Sequence, residues 1–281
     1  MTERGPTLRV ALAQMCSADT HAENIATMRE LATAAQAQGA EMLCLPEVAG
    51  LMNRNADVAR TQVVAAGHDP YIAACRDTAA KCGLWMQAGS TPVLGPDGRF
   101  LNHATLIDDR GALVAEYDKI HLFDVALEGQ APIGESKRFA PGTRAVLADT
   151  PWGPMAMTIC YDMRFAHLYR AHAQAGAVLA FVPSAFTVPT GRAHWEVLLR
   201  ARAIEMGAFV LASAQAGRHA DGRETWGHSL AVDPWGTVLT DLGEGAPKLE
   251  VLELDLSQVA KARSQIPALT HDRAFTFDPP R

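Results

Sequence analysis

The feature that most constrains the fold is a rhythm. Short apolar stretches alternate with Ala-rich, helix-favouring ones along nearly the whole chain. Residues 8–14 predict a strand, residues 24–38 a helix that Gly39 can stop, and residues 41–45 a second strand, which together make a β-α-β unit. Residues 70–82 predict another helix, leading through Gly83 into a strand over 84–90. Short strands over 102–107 and 112–117 follow, set off by the turn signals Gly95-Pro96-Asp97-Gly98 and Asp108-Asp109-Arg110-Gly111. The second half repeats the rhythm: strand 154–159, helix 164–175, strand 177–182, helix 192–205 and strand 208–213, then strands near 229–232, 237–239 and 249–255. Alternation of this kind selects the α/β class. With no linker, low-complexity stretch or close repeat, it predicts one domain over 1–281 whose similar halves pack sheet against sheet with helices outside.

Composition narrows the function. A chain of 281 residues, 48% of them hydrophobic, can bury a sizeable core. The formal net charge of -6, without a basic block interleaved with aromatics, argues against a nucleic-acid partner and for a small-molecule substrate. No apolar run approaches a membrane span, and Met1-Thr2-Glu3-Arg4-Gly5-Pro6 does not look like an export signal, so a cytoplasmic location is expected. The five cysteines, Cys16, Cys44, Cys75, Cys82 and Cys160, are odd in number and contain no CxxC pair, which predicts reduced thiols and no metal site. Cys75 and Cys82 lie two helical turns apart and read as packing residues.

Three polar residues each end or follow a β-like segment, the place where α/β sheets assemble their sites: Glu47 after Leu43-Cys44-Leu45-Pro46, Lys119 after Glu116-Tyr117-Asp118, and Cys160 after Thr158-Ile159. Cys160 also precedes Tyr161-Asp162-Met163-Arg164, the start of an expected helix, whose N–H groups would favour thiolate and could hold an oxyanion. Taken singly, these residues read first as a buried structural thiol, a loop carboxylate and a surface amine. Between Lys119 and Gly142 periodicity fails, and a loop that long is functional or disordered.

The segments LCLPE (Leu43 to Glu47), YDKIHLFD (Tyr117 to Asp124) and ICYDMRF (Ile159 to Phe165) resemble the three motifs of the nitrilase superfamily of carbon–nitrogen hydrolases. The likeness extends through PSAFTVPTG (Pro183 to Gly191), AHWEVLLRARAIE (Ala193 to Glu205) and GHSLAVDPWG (Gly227 to Gly236). It implies a four-layer α-β-β-α sandwich and amide hydrolysis through a cysteine thioester, with neither metal nor cofactor. In the implied triad Cys160 is the nucleophile and Glu47 the proton acceptor. Lys119, with the N–H of Tyr161, stabilises the oxyanion and favours thiolate. GESKRFAPG (Gly134 to Gly142) resembles the family segment carrying a second glutamate, which maps to Glu135 as an orienting partner of Lys119. Glu128 reads as a solvated carboxylate and His121 as support for its motif.

Within that superfamily the chain is most similar to the branch of deaminated glutathione amidases and omega-amidases. The implied reaction releases 2-oxoglutarate and cysteinylglycine from deaminated glutathione; the alternative is an omega-amidase acting on 2-oxoglutaramate or another small carboxylate-bearing amide. Both substrates present a carboxylate, which Arg164, one turn beyond Cys160, is expected to grip, with Phe186 and Thr190 of the following loop lining the pocket. His194 and Trp195 read as supports of that loop. Ala166-His167, Met206-Gly207-Ala208 and Thr225-Trp226 depart from the branch pattern and bear on pocket shape, leaving the triad intact. Other classes remain: a nitrilase-fold binding protein without catalysis, or a redox-sensing thiol with a resolving cysteine near Cys160. Family likeness and the apolar run Trp195-Glu196-Val197-Leu198-Leu199 predict a homodimer or higher homo-oligomer. A C-terminal tail, about 266–281, holds Ala274-Phe275-Thr276-Phe277 and is expected to cross to the partner.

Overall fold

The computed structural model describes residues 6–126, 128 and 132–278. Two six-stranded sheets are built on one pattern. In the first, the strands run Lys248–Asp255, Thr7–Gln14, Met42–Cys44, Trp85–Leu94, Phe100–Ile107 and Leu113–Asp118 from edge to edge. In the second they run Val146–Ala148, Met155–Met157, Leu179–Phe181, Phe209–Ala212, Leu230–Val232 and Val238–Asp241. Each sheet has three parallel strands in its middle, one antiparallel strand on one side and two on the other. The expectation of similar halves is met.

The layers follow from where the apolar side chains go. Leu8, Val10 and Leu12 alternate with Ala11 and Ala13 along one strand, and the two sets enter different cores. The first set meets Met155, Met157 and Phe181 between the sheets. The second meets Met28, Leu31 and Ala35 of helix His21–Ala37 and Cys75 and Ala79 of helix Pro70–Cys82 on the outer face. Helices Ala166–Gln174 and Val188–Met206 cover the opposite sheet through Leu168, Tyr169, Trp195 and Leu199. The resulting order is helix, sheet, sheet, helix, with cross-sheet ties such as Ser213 Oγ donating to the Cys44 carbonyl at 2.9 Å. No helix among the described residues is long and apolar enough to cross a membrane.

Some boundaries differ from the expectation for local reasons. The stretch after Cys160 is a 3₁₀ helix, Cys160–Arg164, closed by the Asp162 side chain on the Ile159 N–H, and the α-helix starts only at Ala166. Thr190 lies in the first turn of helix Val188–Met206 and not in a loop, because Pro189 suits a helix start. The 119–142 stretch holds a short pairing of Asp124–Val125 with Ile133–Gly134 and a 3₁₀ turn, Glu135–Lys137. Helix Ser257–Gln265 was not expected; it buries only Val259 and Ala262, too little to show as a periodicity. In the tail, Phe275 and Phe277 are exposed, while residues 279–281 lie outside the described residues.

Candidate active site

Three strand ends deliver Glu47, Lys119 and Cys160 to the floor of one cavity of about 820 Å³, and all three side chains are buried. Glu47 follows strand Met42–Cys44 on a turn that neighbouring backbone shapes tightly. Val48 takes φ 50 with its N–H held by Ser90 Oγ at 2.9 Å. Gly89 sits so close beneath that a Cβ there would come within 1.9 Å of the Pro46 carbonyl oxygen. Gln215 Nε2 reaches across from the other sheet to donate to the Glu47 carbonyl at 2.9 Å. Cys160 also has a left-handed backbone, φ 48, with its N–H donated to Pro183 O at 2.9 Å. Val48 and Cys160, two of the three non-glycine residues with positive φ among the described residues, are each fixed by their surroundings and mark strain stored where side chains must be aimed.

Lys119 ties the site together. Its Nζ donates to Glu47 Oε1 at 2.8 Å and to Glu135 Oε2 at 2.9 Å and Oε1 at 3.1 Å. Burial alone would favour the neutral amine, but Glu135 and Glu47 outweigh it and hold the lysine pKa well above its usual value. Glu47 Oε2 accepts the Ala185 N–H at 2.8 Å, and Glu135 Oε2 accepts the Phe123 N–H at 2.7 Å. The expected partnership of Glu135 with Lys119 is therefore present in the geometry.

The surroundings of the thiol pull in both directions. Burial, and next the charge of Glu47, push the Cys160 pKa well above the ordinary thiol value; Lys119 and the Ala185 N–H pull the other way and lose. The Cys160 proton is thus held more firmly than that of a free thiol, and Glu47 stands beside it as the carboxylate that could remove it. Tyr161 N–H lies in the first turn of the 3₁₀ helix, where helix geometry supplies no acceptor, so it can serve an oxyanion.

Tyr161, Phe186 and Thr190 line the cavity as expected, whereas Arg164 is absent from its lining. Its guanidinium packs over the Tyr161 and Phe186 rings, 5.8 and 5.6 Å from their centroids, and meets His194 Nδ1 at 3.2 Å. The 3₁₀ geometry of Cys160–Arg164 explains this, since a tighter turn points its fifth residue elsewhere than an α-helix would. Trp195 holds the same region from inside, its Nε1 donating to His228 O at 2.7 Å. Glu128 is exposed. His121 stacks on Phe165, with ring centroids 3.5 Å apart, and lies outside the cavity lining. All five cysteines are free, and of them Cys160 alone lines the cavity.

Two residues escaped the sequence reading. Asn102 Nδ2 donates to Glu47 Oε1 at 2.8 Å and to Glu135 Oε1 at 3.3 Å, so one amide spans both glutamates. Asp162, fully buried, accepts four hydrogen bonds. Tyr117 hydroxyl and Ile159 N–H reach Oδ2 at 2.7 and 2.9 Å; the His121 N–H and Nδ1 reach Oδ1 at 3.0 and 2.7 Å. It joins the strand end that carries Lys119 to the turn that carries Cys160. Asp162 stands inside a motif and could have been weighed there; Asn102 left no local signal. Among the described residues no cluster of side chains could hold a metal ion.

A buried thiol beside a glutamate, with a lysine close by and the Tyr161 N–H in the turn that follows it, can attack a carbonyl, hold the resulting charge and return a proton to a leaving nitrogen. Comparison with known proteins agrees with that chemistry. Residues 9–264 match the carbon–nitrogen hydrolase family. The chain is 38% identical over 275 residues to the deaminated glutathione amidase of Yersinia enterocolitica, covering 97% of this chain and 95% of that protein. It is 40% identical over 270 residues to the deaminated glutathione amidase of Homo sapiens, covering 94% and 82%. The crystal structure of the NitFhit protein of C. elegans superposes with a TM-score of 0.87 at 35% identity, covering 97% of this chain, which spans 66% of that longer protein. With the family match running from the first strand to the last helix and these identities over nearly its whole length, the chain belongs to the carbon–nitrogen hydrolase family.

Proposed function

We propose that this protein hydrolyses deaminated glutathione to 2-oxoglutarate and cysteinylglycine through a thioester on Cys160. The observation that carries the reading is the assembly of buried Glu47, Lys119 and Cys160 with half-buried Glu135 in a cavity large enough for a peptide-sized amide, in a chain whose similar relatives are named for that reaction.

In the first step Glu47 takes the Cys160 proton as Sγ bonds to the amide carbon, and the carbonyl oxygen, now an oxyanion, receives hydrogen bonds from Lys119 Nζ and the Tyr161 N–H. Collapse breaks the C–N bond, and Glu47 passes the proton to the departing nitrogen of cysteinylglycine. Water then enters, gives a proton to Glu47 and attacks the thioester; the C–S bond breaks and Cys160 regains its proton. Glu135 and Asn102 act as positioning residues by holding Lys119 and Glu47. Phe186 and Thr190 bound the acyl group, and Arg164 backs the aromatic wall formed by Tyr161 and Phe186.

Free cysteines and a net negative charge support a cytoplasmic setting, and we take 1–281 as one catalytic domain. A homodimer or higher homo-oligomer is supported by the outward apolar residues Val197, Ile204 and Trp235 near the exposed face of helix Val188–Met206, together with Phe275 and Phe277.

The test compares kcat/KM for deaminated glutathione, 2-oxoglutaramate, glutamine and simple nitriles. Deaminated glutathione is expected to be the best of the four, with an acyl adduct on intact protein that Cys160→Ala lacks. Faster turnover of 2-oxoglutaramate would reassign the enzyme as an omega-amidase, and full activity in Cys160→Ala would remove the thioester.

A further inference from the structure

We infer that the cavity holds a second, cationic subsite, made by Arg138 and Arg54, that binds the terminal carboxylate of the leaving peptide. This rests on the proposed substrate and adds what the other half of the cavity is for. Away from the thiol the lining includes Asn53, Arg54, Arg138, Phe139, Arg223 and Glu224. Arg223 is spoken for: its Nη2 pairs with Asp221 Oδ2 at 2.8 Å. Among the described residues no carboxylate pairs with Arg138 or Arg54.

Arg138 is positioned rather than loose. Its Nη1 donates to Arg54 O at 3.0 Å and its Nη2 to Asn53 O at 3.1 Å, while the guanidinium lies 5.7 and 5.8 Å from the Phe100 and Phe139 ring centroids. Neutral carbonyls and ring faces orient it without cancelling its charge. Its buried Nε finds no partner among the described residues. Burial, then the charges of Arg223 and Arg60, push the guanidinium pKa below its usual value, with Asp221 opposing. Such a group is short of one anion.

The spacing fits a dipeptide. Glu135, which touches Lys119, begins the 3₁₀ turn that leads to Arg138, and Arg138 N–H donates to Glu135 O at 3.0 Å. At about 2 Å of rise per residue, the backbone of Arg138 lies about 6 Å beyond that of Glu135. A leaving dipeptide spans at most about 7 Å from its amino nitrogen to its carboxylate. With the scissile nitrogen near Glu47, the far carboxylate of cysteinylglycine extends into the same cavity that Arg54 and Arg138 line, whereas ammonia from an omega-amide would leave them unused.

The experiment measures kcat/KM for deaminated glutathione and for the same molecule with its C-terminal carboxylate converted to an amide, in wild type, Arg138→Gln and Arg54→Gln, with melting curves for each. The ratio of the two substrates cancels any general loss of catalysis. Wild type should favour the carboxylate by about tenfold or more, the scale of a charged hydrogen bond, and Arg138→Gln should bring the ratio close to one. Should Arg138→Gln fold poorly, Arg54→Gln, an exposed side chain, must still lower the ratio. A wild-type ratio near one, or an unchanged ratio in the folded variants, overturns the subsite while leaving the amidase reading in place. Failure of wild type to cleave either substrate overturns the proposed function, and the subsite with it, and is told apart by the missing turnover.

Discussion

Replacing Asp162 by Asn tests whether one buried carboxylate sets the geometry of the reaction centre. Each carboxylate oxygen accepts two hydrogen bonds, and one of the donors on each side is a backbone N–H that cannot turn around: Ile159 on one, His121 on the other. Asparagine keeps a single oxygen. Whichever way its amide is placed, an NH₂ group faces a backbone N–H, although the Tyr117 hydroxyl or the His121 ring can reverse its role. One buried donor is left unsatisfied, at about 1–3 kcal/mol, and the surviving bonds lose their charge assistance, so the expected destabilisation is about 2–4 kcal/mol. For a chain of this size that is a fall in Tm of very roughly 4–16 °C, at about 2–4 °C per kcal/mol.

The catalytic consequence is more telling than the melting curve. Asp162 fixes the strand end that carries Lys119 and the turn that carries Cys160, so loosening it should lower kcat more than it raises KM, because substrate contacts along the Phe186–Thr190 wall stay in place. Thermal denaturation followed by steady-state kinetics well below the variant's Tm separates the two effects. A variant with unchanged Tm and unchanged kcat would refute the reasoning, and a lower Tm with unchanged kcat would reduce Asp162 to a fold residue.

Lys119→Met should lower kcat on the order of 10²-fold or more and also destabilise the protein by about 3–5 kcal/mol, since it leaves buried Glu47 and half-buried Glu135 without their shared cation. The double variant Lys119→Met/Glu135→Gln should regain part of the Tm without regaining kcat; recovery of both would mean that Lys119 is purely structural. His103 gives a pH signature: burial opposes its charged form, but Asp118 at 2.7 Å and Glu116 at 3.2 Å raise its pKa above the usual value. The pair's stabilisation is therefore complete below about pH 6.5 and fades as pH rises through the raised folded value. Wild type should lose more Tm than His103→Gln between pH 6 and 9, and parallel curves would remove the pair as a source of stability. Light scattering at micromolar concentration should give a multiple of the 30.1 kDa chain mass; a monomer would count against the oligomer and against a role for Phe275 and Phe277 in it.

How much of this could be read without coordinates depended on how local the cause was. Helix Pro70–Cys82 was legible to the residue because Pro70 starts it and Gly83, at φ 63, ends it. Glu47, Lys119 and Cys160 were legible as candidates because each ends a strand in a chain of alternating elements. Arg164 was legible as a residue one turn beyond Cys160, but its seat over the Tyr161 and Phe186 rings was not, because that turn is 3₁₀ and is closed by Asp162 on Ile159. Asn102 could not have been found: it acts on Glu47, 55 positions away, and only the pairing of strands Trp85–Leu94 and Phe100–Ile107 brings it there. The Arg138 environment is hidden for the same reason, since its partners Asn53 and Arg54 lie 85 and 84 positions earlier.

The charge balance of the site accounts for the raised pKa of the Cys160 thiol. With Lys119 and two carboxylates the centre already carries one net negative charge, so a resting thiolate would add a second beside Glu47 in a buried space. In the proposed reaction Glu47 gives up its charge as it takes the proton, and the negative charge passes through sulfur to the carbonyl oxygen next to Lys119. The centre's total never changes; the charge only moves a few ångströms inside a region whose dipoles are already set. That removes the solvent reorganisation that separating new charges would demand. It also accounts for the fixed backbone around the trio: Ala185 and Phe123 N–H groups, Asn102 and the strained turns at Val48 and Cys160 all hold in place partners between which a charge must travel. An enzyme relying on a free, low-pKa thiolate would instead expose its sulfur and remove the carboxylate beside it.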